Sequence, residues 1–116
     1  LDIDLRWCKS LKLPVLKQIQ GSVNIAAGVA ERIAMPALTT LDGTLQITGN
    51  NSVLTTLDFP LLAAIRKVEI KNCTALKDYS TFAGVIPELN SSTWRISGCG
   101  YNPTWQDMSD GKYIGQ

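Results

Sequence analysis

Pro36-Ala37-Leu38-Thr39-Thr40-Leu41-Asp42-Gly43-Thr44-Leu45-Gln46-Ile47 echoes an earlier stretch, Pro14-Val15-Leu16-Lys17-Gln18-Ile19-Gln20-Gly21-Ser22-Val23-Asn24-Ile25. Both fit P-x-L-x-x-[IL]-x-G-x-[VL]-x-I, at an offset of 22 residues. A third copy runs from Pro60 to Ile70, one residue shorter and without the glycine, and a degenerate fourth ends in Trp94-Arg95-Ile96. A fixed period of this length marks stacked supersecondary units, none of which can bury its hydrophobic face alone.

The closing triplets give the register. Leu1-Asp2-Ile3, Val23-Asn24-Ile25, Leu45-Gln46-Ile47, Val68-Glu69-Ile70 and Trp94-Arg95-Ile96 place their isoleucines 22, 22, 23 and 26 apart. Each alternates apolar, polar, apolar, the period of a strand with one buried face. Between these rungs, Leu11-Lys12-Leu13-Pro14, Ile33-Ala34-Met35-Pro36 and Leu57-Asp58-Phe59-Pro60 alternate again and end in a proline suited to a corner or a strand start. The pattern predicts an all-β, right-handed parallel β-solenoid with coils of about 22 residues, akin to a leucine-rich repeat but with no helix signals inside the coils.

The chain reads as a single domain over 1–116, with coils over 1–100 and a cap over 101–116. In the cap, Asn102 is the expected N-cap, Pro103 the first helical residue and Gly111 the stop, with Trp105 and Met108 sharing one face. Nothing comparable precedes Leu1, so the chain is expected to be part of a longer solenoid whose uncapped first coil could associate with another chain.

Composition narrows the function. Of 116 residues, 45% are hydrophobic and 18% charged, and 11 Lys and Arg against 10 Asp and Glu leave a net charge of +1. That balance argues against nucleic acid as a partner. Histidine is absent, which removes the commonest general base and metal ligand near neutral pH. The longest apolar run, Phe59 to Ile65, falls far short of the roughly 20 residues of a membrane span. No cofactor-binding or metal-ligand spacing is found.

Three cysteines allow one internal disulfide. Cys73 and Cys99 each follow a rung isoleucine by three residues, so they occupy equivalent sites on adjacent coils, where strands about 4.8 Å apart suit a disulfide. A Cys73–Cys99 bond is expected. Cys8, in the slot of Ala30 and Leu54, reads as a buried small hydrophobe or as the partner of an upstream segment. Asn50, Asn72 and Asn90 open N-x-[ST] sequons and are candidate N-glycosylation sites, although Asn50 and Asn72 also suit the turn after a rung. Disulfide and sugars together point to secretion.

The outward positions of the rungs are Asp2, Asn24, Gln46, Glu69 and Arg95. Asp2 and Glu69 fall three rungs apart, about 14 Å at the strand spacing, whereas paired glycosidase carboxylates need about 5–9.5 Å. Glu69 with Arg95, and Asp42 with Arg66, read as cross-strand ion pairs. No enzymatic constellation is expected. The row Asn24–Gln46–Glu69–Arg95 is the candidate ligand-binding face.

The repeat motif, followed by G-N-x-x-x-L-x-x-L-x-F-P over Gly49 to Pro60, resembles the receptor L-domain superfamily. It is most similar to the fungal GPI-anchored cell-wall organisation proteins of that group, over about residues 1–100 and best over 11–70. The resemblance implies a secreted, glycosylated, non-enzymatic protein of the cell wall or cell surface, with a wall glycan or a protein as partner. Family members carry a Ser/Thr-rich stalk and a hydrophobic GPI signal, and neither is found in Gly111 to Gln116. The alternative implied by the superfamily is an extracellular recognition module that binds a peptide or glycan across its parallel sheet.

Overall fold

The computed structural model describes residues 2–4, 8–26, 28–48 and 52–115. Its strands are β1 (Asp2–Asp4), β2 (Ser10–Lys12), β3 (Gln18–Gln20), β4 (Val23–Ala26), β5 (Arg32–Ala34), β6 (Thr40–Thr48), β7 (Thr56–Asp58), β8 (Ala64–Lys71) and β9 (Trp94–Ser97). All pair in parallel, in two sheets. The long sheet runs β1-β4-β6-β8-β9 with β3 beside β6, and the short one runs β2-β5-β7. Ile3, Ile25, Ile47, Ile70 and Ile96 stand in one register across the long sheet, five rungs that close four turns of a β-solenoid. Leu1 of the first triplet lies outside the described residues.

Alternation sets which side is inside. Val23, Ile25, Leu45, Ile47, Val68 and Ile70 are fully buried, and Ile33 and Leu57 meet them from the short sheet. Pro36 and Pro60 occupy the second position of turns in which the Leu38 N–H donates to the Met35 carbonyl and the Leu62 N–H to that of Phe59, both at 3.1 Å. The fixed φ of proline suits that position, so these prolines make corners and not strand starts.

The one-residue difference between the second and third copies becomes a β-bulge. Leu41 pairs with Ile65 and Thr44 with Lys67, so Asp42 and Gly43 together oppose Arg66. A side chain at Gly43 would begin 2.5 Å from the backbone carbonyl group of Gly21 on the preceding coil, and Gly21 itself has φ +87°. One glycine permits close approach and the other permits the turn.

The fourth coil departs from expectation. Where the short sheet would gain a fourth strand, Ser80–Glu88 form a 3₁₀ helix, so a helix does stand inside the coils. Tyr79, Phe82 and Val85 are fully buried and three residues apart, which is the repeat of a 3₁₀ turn. Phe82 packs against Phe59 and Trp94, with ring centroids 5.7 and 5.6 Å apart. The Thr81 hydroxyl accepts the Phe59 N–H at 2.6 Å, joining the helix to the end of the short sheet.

The C-terminal helix α1 (Trp105–Ser109) is capped by Thr104, not Asn102. The Thr104 hydroxyl accepts the Asp107 N–H at 3.1 Å, and the Asp107 carboxylate accepts the Thr104 N–H at 3.0 Å, a capping box. Pro103 therefore precedes the cap. Asn102 instead accepts the Cys99 N–H at 2.8 Å and donates to the Cys99 carbonyl at 2.9 Å. Met108 is fully buried, Trp105 packs against the same core, and the Trp105 indole donates to the Ile86 carbonyl at 3.0 Å. The helix is a lid over the aromatic end of the core, and Gly111, with φ +82°, follows its end.

Candidate functional site

All five outward rung residues come together. Asp2 pairs with Asn24, Asn24 with Gln46, Gln46 with Glu69 and Glu69 with Arg95, one row along the outer face of the long sheet. The parallel register with strict alternation produces this row. Within it the Asn24 amide donates to Asp2 Oδ1 at 3.0 Å and the Gln46 amide to Glu69 Oε1 at 3.4 Å. Asp2 and Glu69 remain separated by two intervening rungs.

The charges pair differently from the sequence expectation. Glu69 does not bond Arg95: its carboxylate is held by Lys71 Nζ at 3.0 Å and Lys67 Nζ at 3.6 Å. Both lysines lie two residues away on the same strand, and period 2 turns all three outward together. The Lys71 hydrogen bond leads in holding the Glu69 carboxyl below its ordinary range, against a smaller opposing effect of burial. Arg95 turns back along its own chain, Nε donating to the Ser92 carbonyl at 3.3 Å, with no carboxylate partner among the described residues. The expected Asp42–Arg66 pair is present.

Two hollows lie along the long sheet, the first away from the row and the second at its Glu69–Arg95 end. One, of about 450 Å³, lies over the bulge between Asp42, Arg66 and Glu88. The other, of about 550 Å³, runs beside β9 between Lys71 and Arg95 on one side and Asn102 to Trp105 on the other. The second was not foreseen, because it needs the lid and the last rung side by side. Its one sequence signal was Trp105, whose indole N–H is engaged by the Ile86 carbonyl of the 3₁₀ helix while the residue also lines the hollow.

Cys73 and Cys99 are free thiols here and are not joined. Each donates to the carbonyl two residues before it, Cys73 to Lys71 at 3.6 Å and Cys99 to Ser97 at 3.4 Å. The equivalent-coil placement holds nonetheless, since the Gly100 N–H reaches the Cys73 carbonyl at 3.3 Å and each thiol shifts the titration of the other. Hydrogen bonding from Cys73 leads in lowering the Cys99 thiol to about 6, while the same bond, aided by burial, pushes Cys73 up. Cys8 is exposed, contrary to expectation, although Ala30 and Leu54 in its slot are fully buried. Those two have coils on both sides, whereas Cys8 sits in the first described coil.

Asn72 and Asn90 are both exposed, Asn72 with φ 62° at the turn after its rung and Asn90 with its amide oxygen accepting the Ser92 N–H at 2.8 Å. Asn50 lies outside the described residues. Among the described residues no group of three His, Cys, Asp or Glu side chains is placed to hold a metal, and no helix is long and apolar enough to cross a membrane. Comparison of the chain with known protein families, with curated proteins and with solved structures gives no match.

Proposed function

We propose that this is a non-catalytic protein of the cell surface or cell wall that acts by recognition, its partner a wall glycan or a protein laid across the outer face of the long sheet. The observation that carries the reading is the row Asp2–Asn24–Gln46–Glu69–Arg95, five polar side chains in one register on a rigid parallel sheet. Binding residues held by a stiff scaffold lose little freedom on association. The motif resemblance to the receptor L-domain superfamily, and to its fungal GPI-anchored wall proteins, supports the cellular setting. So do the adjacent thiols, which an oxidising disulfide carrier would join by taking two electrons and two protons, and the exposed sequons at Asn72 and Asn90.

The test applies the purified protein to glycan and peptide arrays and to isolated walls, alongside Gln46→Arg with Glu69→Arg. Because Glu69 also holds two lysines, Asn24→Arg at an exposed position of the row serves as a second variant. Both should lose binding while keeping the parent circular dichroism spectrum, and retention of full binding by both refutes the reading of this face. Intact mass from the native source, before and after reduction with alkylation and after glycan removal, tests the setting. One disulfide plus sugar is expected, and three free thiols with a bare mass contradict secretion.

A further inference from the structure

The geometry points to the free edge of β9 as a docking site for an extended acidic peptide, which adds to the long sheet as one more parallel strand and sets a Glu or Asp beside Arg95. The inference rests on the recognition reading above and names the partner of one end of that face.

Four observations converge. First, β9 ends the strand order of its sheet. The Val68 N–H donates to the Thr93 carbonyl and the Asn72 N–H to that of Ser97. Thr93, Arg95 and Ser97 therefore face β8, while Trp94 and Ile96 turn their backbone groups away from it. Asn90 takes the Trp94 N–H, which leaves the two carbonyls and the Ile96 N–H as an open edge, the template for strand addition. Second, the 550 Å³ hollow runs along this edge and is lined by every residue of β9. Third, Ile96 is only partly buried, whereas Ile25, Ile47 and Ile70 are fully buried. Trp94 of the last rung is buried beneath the lid, but Ile96 lacks the apolar cover that each earlier isoleucine receives from the next rung. Fourth, Arg95 has no carboxylate among the described residues, and Lys67 and Lys71 share the single carboxylate of Glu69, so this end of the row carries excess positive charge.

An incoming strand is thus asked for a carboxylate turned outward beside Arg95, where opposite charges directly across a ladder attract, and for an apolar side chain turned inward beside Ile96. The molecule already uses this grammar in Val68-Glu69-Ile70. A second copy of the chain fits less well, because the lid occupies the space beneath the last coil. The Pro103 carbonyl there accepts the Trp94 indole N–H at 3.0 Å, and Met108 is fully buried. One added strand has room, whereas a whole added coil meets the lid.

The test uses a fluorescein-labelled Thr-Val-Glu-Val-Thr peptide, read by anisotropy with the full chain. Saturable binding is expected, weakened at least about tenfold by Arg95→Glu. It should also be lost on N-methylation of the peptide backbone and restored when a Thr-Val-Lys-Val-Thr peptide meets the Arg95→Glu protein. Arg95 is exposed, and an unchanged melting curve verifies that its variant folds. Absence of saturable binding, or binding indifferent to Arg95→Glu or to N-methylation, overturns the proposal. Self-association that Asp2→Arg abolishes, with no peptide binding, assigns the edge to a second copy and also overturns it. An acidic oligogalacturonate that binds through Arg95 in place of the peptide does the same. Each such failure leaves the wider face reading standing if Asn24→Arg still abolishes partner binding on arrays or walls.

Discussion

Gly43 and Gly21 show two different reasons for a glycine at equivalent positions of a repeat. At Gly21 the backbone is left-handed and a side chain would meet open space, whereas at Gly43 a side chain would be driven into the Gly21 backbone. Backbone cannot yield as the end of a flexible side chain can, so Gly43→Ala is expected to cost about 2–3 kcal/mol, in the upper part of the overpacking range. Gly21→Ala should cost about 1–2 kcal/mol from its conformation alone. Denaturant melts of the two variants check the order, and a Gly43→Ala protein as stable as the parent would show that the bulge has slack. Glu69 supplies a pH signature. Its folded carboxyl is held below the ordinary 4.5, so its contribution is present above that value and fades as pH falls through the lowered one. Glu69→Gln should therefore cost about 0.5–1 kcal/mol at neutral pH, and the gap from the parent should close in acid. A gap that is constant with pH would locate the effect in packing and not in charge.

The strands of the first three coils follow directly from their residues. Alternation in Val23-Asn24-Ile25 or Leu45-Gln46-Ile47 fixes which side is buried, and period 2 leaves no second solution without exposing the isoleucines. The same period also aligns Lys67, Glu69 and Lys71 on one face, a relation along one strand that is overlooked when Glu69 is matched only with residues on neighbouring rungs. The 3₁₀ helix was harder to see. Its signal is the three-residue spacing of Tyr79, Phe82 and Val85, which lies where the 22-residue ruler fails and resembles neither a strand nor an α-helix. In the lid, Thr104 and Asp107 form the capping box, while Asn102-Pro103 offers another N-cap residue, followed by proline, two positions earlier. Side-chain preference alone does not choose between the two starts, and Asn102 is drawn off by the turn at Cys99.

For the whole molecule, the middle rung carries the test of the stack. Ile47 is fully buried and paired on both sides, with Ile25 and Ile70. Ile47→Ala should cost 2–5 kcal/mol, as core truncations commonly do, and a loss under about 1 kcal/mol in a denaturant melt would contradict the register. The polar row of the candidate site was legible because it is the complement of the buried face. The hollow beside β9 was not, since it arises where the last coil meets the lid and no linear pattern reports that junction. The way the fourth coil is built bears on how such a chain can change in length. The coils before it repeat the same strand pairings at intervals of 22 to 24 residues, so a duplicated 22-residue period inserted between the first two would find like neighbours on either side. Loss of a single residue from a rung, by contrast, would turn its faces over. The aromatic helix and lid form an end that tolerates no such copying. Growth in this architecture is therefore quantised in whole turns on one side only, and the β9 edge keeps its distance from the lid however tall the stack becomes.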